Sequence, residues 1–246
     1  MKKIQKTSEV LWVLGTLFVA LGVAICSKAN LGVSMIAAPA FILQEALAAA
    51  GSAITVGGVE YLCQGLLLVV LCAVIRRFNW RYLLAFGEAV LYGYALNLFL
   101  WVFRTVSFDA VWLRWVMLIV GDVCISFGVA CFFRTYLPLQ VYELFVSEFS
   151  GRFRLNINKV KWTFDFVLLA ISVTLALVLF GDLGSFDWST VGYANFHSIG
   201  LGTVVTAIIN SPVIAWAGKI LDRTVEPTAA FPKVEKVLKR SGFDAE

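Results

Sequence analysis

LGTLFVALGVAICSKANLG, residues 14–32, and VGDVCISFGVACFFRTYLP, residues 120–138, decide the fold. Laid over each other at a shift of 106 residues, they share five of 19 positions: Gly15 with Gly121, Gly22 with Gly128, Val23 with Val129, Ala24 with Ala130 and Leu31 with Leu137. Lys28 also meets Arg134. Each stretch is an apolar run that ends in a basic residue and a helix break. A short apolar segment and two further apolar runs then follow in both halves, so the chain reads as one unit written twice.

The composition says what surrounds that unit. Of 246 residues, 60% are hydrophobic and only 15% charged, against roughly a quarter charged in an ordinary soluble domain, and the mean hydropathy is +0.86. A soluble enzyme and a disordered protein are both excluded. At about 20 apolar residues per crossing helix, the runs bounded by charge are 10–27, 59–75, 83–103, 115–133, 162–180 and 199–218. Two segments are left over, 33–50 with Pro39 and 137–149 with Pro138, Glu143 and Glu148. Segment 137–149, about thirteen residues, is of the length that re-enters a bilayer more often than it crosses, and 33–50, with Pro39, holds the equivalent place in the first half, so both are expected as re-entrant half-helices. The predicted class is an all-α polytopic membrane protein of six transmembrane helices plus two re-entrant half-helices.

Basic residues orient it. With both termini cytoplasmic, six spans put 17 Lys and Arg inside and three, Lys28, Arg104 and Arg114, outside. Eight full crossings would give 15 against five, and the positive-inside bias favours six. The opening Met-Lys-Lys-Ile-Gln-Lys leads into a run too long for a signal-peptide core, which makes it an uncleaved first span. The stretch 181–198, with Asp182, Asp187 and the single histidine His197 but no Lys or Arg, suits an outer loop, where the histidine reads as a surface residue. No stretch reads as a nucleic-acid-binding patch.

Three spans per copy is an odd number, so the second copy must sit upside down. The expected division is a first repeat over 1–108, an inverted second repeat over 109–221 and a cytoplasmic tail over 222–246. In such inverted repeats the binding site lies near the midplane, and paired helix interruptions mark it. Here the interruptions are 28–32 and 134–138. The chain resembles the YczE/YyaS/YitT-like integral membrane proteins of bacteria over most of residues 10–221, on GVAICSKANLGVS (22–34), its copy from Gly128, and IGLGTVVTAI (199–208). The resemblance implies a polytopic protein of the bacterial cytoplasmic membrane with a transport-like plan. That family usually follows each break with Pro-x-Asp; this chain has Met35-Ile36-Ala37 and Val141-Tyr142-Glu143, and keeps one acid of two.

The candidate substrate-binding residues are Lys28, Asn30, Arg134, Glu143, Asp122, Glu88 and Asn210. Lys28 and Arg134 end equivalent spans, where long basic side chains commonly snorkel to the interface; alternatively they flank an anion path, helped by the N-terminal end of the half-helix that follows each. Glu88 and Asp122 lie deepest in their spans, where a carboxylate must be protonated, paired or wet. They hold helices together, carry a proton or touch substrate. Glu143 opens the second short segment and either neutralises Arg134 or takes the role of the retained acid. Glu60, Lys161 and Asp165 read as nearer the interfaces and structural. Asn210-Ser211-Pro212 interrupts the last span and Asn97 lies deep in the third; both bond neighbouring helices or line a cavity. Gly200-Leu201-Gly202-Thr203 lets backbone approach a neighbour closely.

The five cysteines all sit in apolar runs without metal-site spacing, and no zinc, nucleophile-elbow or phosphate-loop motif is present. The expectation is therefore no enzyme, no cofactor and no metal. The expected function is a small transporter or channel for a small anionic or zwitterionic solute, with a central site between the repeats. An anionic-lipid carrier translocase and a non-transporting solute-binding subunit are the alternatives. Membrane lipids are expected partners, and a homodimer is plausible for so small a chain.

Overall fold

A computed structural model describes residues 4–181, 198–233 and 235–236. His197, Asp182 and Asp187 lie outside the described residues. The order is β1 (Ile4–Thr7), α1 (Ser8–Ala29), α2 (Ala38–Ala49), α3 (Val56–Ile75), α4 (Arg81–Val102), α5 (Val111–Phe132), α6 (Val141–Phe153), α7 (Ile157–Phe180), α8 (Leu201–Thr224) and β2 (Val225–Thr228). Six of the eight helices, all but α2 and α6, are long and apolar enough to cross a bilayer. The protein is an integral membrane protein, and among the described residues its regular structure is helical apart from β1 and β2.

Those strands pair in parallel, Ile4 opposite Val225 through Thr7 opposite Thr228. Nothing in the sequence pattern marked them; they meet because α1 begins and α8 ends at the same end of the bundle. Elsewhere the helix ends follow local chemistry. Thr55 caps α3 by accepting from the Gly58 N–H, and Asn156 caps α7 by accepting from the N–H groups of Asn158 and Lys159. Pro39 sits in the first turn of α2, where its missing N–H costs nothing. Residues 33–37 are therefore not helical, and α2 is shorter than the apolar segment that contains it. Pro138 likewise delays α6 to Val141, and α6 runs on to Phe153, past the apolar stretch.

The centre of the molecule is the α1–α5 pair. About half of the most apolar stretch of each is buried, against a third or less in the other four long helices. They run antiparallel with their backbones pressed together at four glycines. A Cβ on Gly22 would lie 2.5 Å from the Gly121 carbonyl oxygen and 2.7 Å from the Ile125 side chain. One on Gly128 would lie 2.7 Å from the Gly15 oxygen and 2.7 Å from Val19. α4 packs outside α1 and α8 outside α5, while α2 packs on α3 and α7, and α6 on α7 and α3. α3 packs closely on α4, whereas α7 barely touches α8.

The α3–α4 seam explains Asn97. Its amide oxygen accepts from the Gly57 N–H at 2.9 Å and its nitrogen donates to the Thr55 hydroxyl at 2.9 Å. Asn97 thus bonds two helices together, the first of its two readings.

Both breaks are stitched to the last helix or its approach. After α1, Leu31 accepts from the Gly202 N–H at 2.8 Å and Val33 donates to the Ser198 carbonyl at 2.9 Å. Gly202 permits this because a Cβ there would lie 2.7 Å from the Leu31 oxygen. After α5, Trp12 donates to the Pro138 carbonyl at 3.0 Å and Arg134 reaches Asp222.

Candidate functional site

α2 and α6 have 12 and 13 residues, about 18–20 Å of helix at 1.5 Å per residue, too little for a hydrocarbon core of about 30 Å. Their N-terminal ends, at Ala37 and Gln140, line one small space together with Val19 and Val23 of α1, Tyr92 of α4, Ile125 and Val129 of α5 and Asn210 of α8. Val19 and Tyr92 are each the twelfth residue of a 22-residue helix, so the space lies halfway along the bundle. It encloses about 20 Å³, room for one water.

The polar groups around it are Ser34, Gln140, Asn210, Glu60, Tyr92, Tyr142 and Glu143. Glu60 is 1% exposed and Glu143 5%, and each has a carboxyl oxygen without a hydrogen-bond partner among the described residues. Glu60 faces the Tyr142 hydroxyl and Gln64. Glu143 takes its own backbone N–H, a favourable position for a carboxyl at a helix N-terminus. Behind it Glu88, also buried, accepts from the Thr16 hydroxyl at 3.3 Å and lies close enough to Glu143 to interact with it. The Ser126 hydroxyl donates to the Asn210 side-chain oxygen at 3.3 Å. Pro212 has no N–H, which frees the carbonyl of Ile208 one turn earlier in α8.

A largely buried lysine faces this acidic group from α7. Lys161 pairs with Asp165 at 3.7 Å, their side chains 14% and 8% exposed, and it lies within electrostatic range of Glu143 and Asp122 as well. Asp122 is wholly buried, and neither of its oxygens has a hydrogen-bond partner among the described residues. Such a set of carboxyls at mid-depth, beside one ammonium, can hold a cationic group and exchange a proton; the first N–H groups of α2 are already taken by the Ser34 and Ala37 carbonyls, so N–H donors for an anionic group come from the start of α6. Among the described residues, no three Asp, Glu, His or Cys side chains gather closely enough to hold a metal ion.

The structure therefore brings together Glu143, Glu88 and Asn210, with Asp122 one helical turn from Ser126. It leaves Lys28, Asn30 and Arg134 at the helix ends. Lys28 donates to the Arg104 carbonyl at 3.5 Å near the surface, and Asn30 is exposed in a left-handed turn with φ 54°. Arg134 grips Asp222 through two bonds of 2.7 and 2.8 Å and donates to the Ala130 carbonyl. Next to it, Tyr136 bonds Glu9, which also accepts from the N–H groups of Ala230 and Phe231; burial and the Glu9 carboxylate push the Tyr136 phenol up. Asp222 is 61% exposed, so solvent screens the pair, and Arg134→Ala is expected to cost no more than about 1 kcal/mol. Thermal unfolding of the purified variant checks this.

Glu60, Tyr142, Tyr92, Gln140 and Lys161 are the site residues that sequence reasoning missed or set aside as structural. A charged residue beside a helix start looked interfacial, because hydropathy gives the ends of a span but not its depth relative to its neighbours.

No curated protein and no solved structure matches the chain. A family model described as a family of unknown function, DUF6198, matches residues 6–219. That match takes in α1 to α7 and most of α8, and with it every residue of the central space: the chain belongs to the DUF6198 family.

Proposed function

We propose that the protein is a small-solute transporter of the bacterial cytoplasmic membrane, built as two inverted repeats over 1–108 and 109–221 with α2 and α6 as re-entrant half-helices. The contacts of α1 and α5 support the inversion. At the repeat shift of 106 residues Gly15 corresponds to Gly121 and Gly22 to Gly128, and it is Gly15 that meets Gly128 and Gly22 that meets Gly121. Gly22 meets Ile125 while Gly128 meets Val19, the same exchange again. Contacts swapped between copies are what a two-fold axis produces. Between antiparallel spanning helices, that axis lies in the membrane plane. The orientation with both termini cytoplasmic rests on the bias of Lys and Arg.

One observation carries the choice of substrate. Two half-helix N-termini face a mid-depth space walled by Glu60 and Glu143, while Lys28 and Arg134 stand at the ends of the bundle. Carboxylates at the centre disfavour a simple anion. They suit the ammonium end of a zwitterion whose carboxylate takes the N–H donors at the start of α6, with Glu143 or Glu88 free to carry a proton. The space is closed in this conformation, so binding requires it to widen, as alternating access does.

The test is thermal stabilisation of purified protein in nanodiscs by amino acids, betaines and simple anions. A zwitterion is expected to stabilise the protein, with its apparent affinity falling at least about tenfold in Glu143→Gln, as for a lost charge-assisted bond of about 1.5–3 kcal/mol, and staying unchanged in Lys28→Ala. Stabilisation by simple anions alone, abolished by Lys28→Ala and Arg134→Ala, overturns the reading.

A further inference from the structure

On the side of the bundle away from α8, helices α3, α6 and α7 bound a cleft of about 760 Å³, with Pro39 and Leu43 of α2 at its floor. Along α7 it runs from Asn156 to Leu175, about 28 Å at 1.5 Å per residue. It therefore begins at one end of the bundle and passes well beyond mid-depth. Its walls are apolar, and the ring of Phe145 stacks on that of Phe164 with centroids 5.0 Å apart. A polar solute would find no partner along most of this length.

At one end Asn156, Lys159 and Thr163 form a polar mouth. Arg152 in the last turn of α6 and Arg154 at its C-terminal cap shortly precede Asn156 in the chain, all three basic residues are exposed, and residues 150–164 contain no Asp or Glu. The nearest acid on α6, Glu148, faces Tyr82 and Arg81 of α4. An apolar channel of this length with a purely basic mouth at the bilayer interface matches one ligand chemistry, a hydrocarbon chain ending in an anionic headgroup.

We propose that the cleft binds one acyl chain of an anionic phospholipid from the leaflet at that end, with its phosphate held by Lys159. Basic residues at the interface attract an anionic headgroup and leave a zwitterionic one without net attraction, so the mouth selects the anionic lipid. Tyr142 links the bound chain to the central space, because it lines the cleft on one side and that space on the other. An occupied cleft holds Tyr142 against Glu60, so the lipid acts as a fixed part of the protein and is not carried across.

Native mass spectrometry of the full chain, released from nanodiscs of phosphatidylglycerol mixed equally with phosphatidylcholine, tests this. The wild type is expected to keep one phosphatidylglycerol per chain at least tenfold more often than phosphatidylcholine. Lys159→Gln should remove that preference, and Val167→Trp, which fills the cleft from α7, should abolish retention of both lipids. Leu66→Trp fills it from α3 and serves if the first tryptophan prevents folding. Equal retention of the two lipids by the wild type overturns the proposal, as does a preference that survives Lys159→Gln or retention that survives a filled cleft in a folded variant. None of these outcomes depends on which solute the central space accepts.

Discussion

Gly22→Leu is expected to leave no folded protein. A Cβ at that position already lies 2.5 Å from the Gly121 oxygen, 2.7 Å from the Ile125 side chain and 2.8 Å from the Ile125 nitrogen. Two of these neighbours are backbone, so no rotamer change relieves the clash and α5 itself must move away. Overpacking costs about 1–3 kcal/mol where side chains can yield, and more where they cannot. Here the seam that would open is the most buried in the molecule. Membrane helices associate through such close packing, since lipid tails leave little hydrophobic drive between them. Gly121→Leu should fail equally, with the Gly22 oxygen 2.8 Å away from its Cβ. Gly87→Leu on α4 is the control, because nothing lies within 4 Å of its Cβ. Fluorescence-detected size exclusion after stepwise heating should show a sharp monodisperse peak for Gly87→Leu and aggregate for the other two. A folded Gly22→Leu protein would mean that α1 and α5 do not meet as described.

The sequence announced these glycines but not their meeting. Periodic apolar runs gave six spans whose ends agree with the helices to within a few residues, because a run bounded by charge is the physical requirement for crossing a bilayer. The repeat at 106 residues aligned Gly15 with Gly121, and the packing joins Gly15 to Gly128 instead. Self-similarity names equivalent residues; only the packing of α1 on α5 says which of them touch.

Depth was the quantity that one-dimensional reading could not supply. Glu60 lies in the second turn of α3 and looked interfacial. Yet α3 meets α4 at Gly57 and Gly93, where the backbones are in close contact, and Gly93 lies nine residues short of the end of α4 at Val102. That is about 13 Å below the end of its neighbour, which brings Glu60 level with Tyr92. The separation of Lys28 from Arg134 needed no knowledge of depth, since six spans already put them on opposite faces. Equivalent ends of antiparallel helices lie at opposite ends of the bundle, so a pair aligned by the repeat is separated by the full length of the spans.

Lys161→Met should produce the largest loss of stability among side chains near the central space. Its ammonium faces Asp165 at 3.7 Å, with both side chains largely buried, and it is the cation nearest in influence to Glu143 and Asp122. Removing one member of a buried pair leaves an uncompensated charge and typically costs about 3–5 kcal/mol, whereas replacing both members by apolar groups of similar size is often neutral. Lys161→Met combined with Asp165→Leu is therefore expected to unfold within a few degrees of the wild type, while Lys161→Met alone unfolds much earlier. The double variant then separates two roles of the lysine. If Lys161 serves only to neutralise Asp165, the restored protein should also regain the solute-induced stabilisation of the wild type. If it balances Glu143 across the central space, the double variant should fold yet respond to the solute at least about tenfold more weakly, because the Glu143 carboxyl has lost the ammonium that offsets it. Equal stability of the wild type and Lys161→Met would instead place that ammonium in water, outside the acidic cluster.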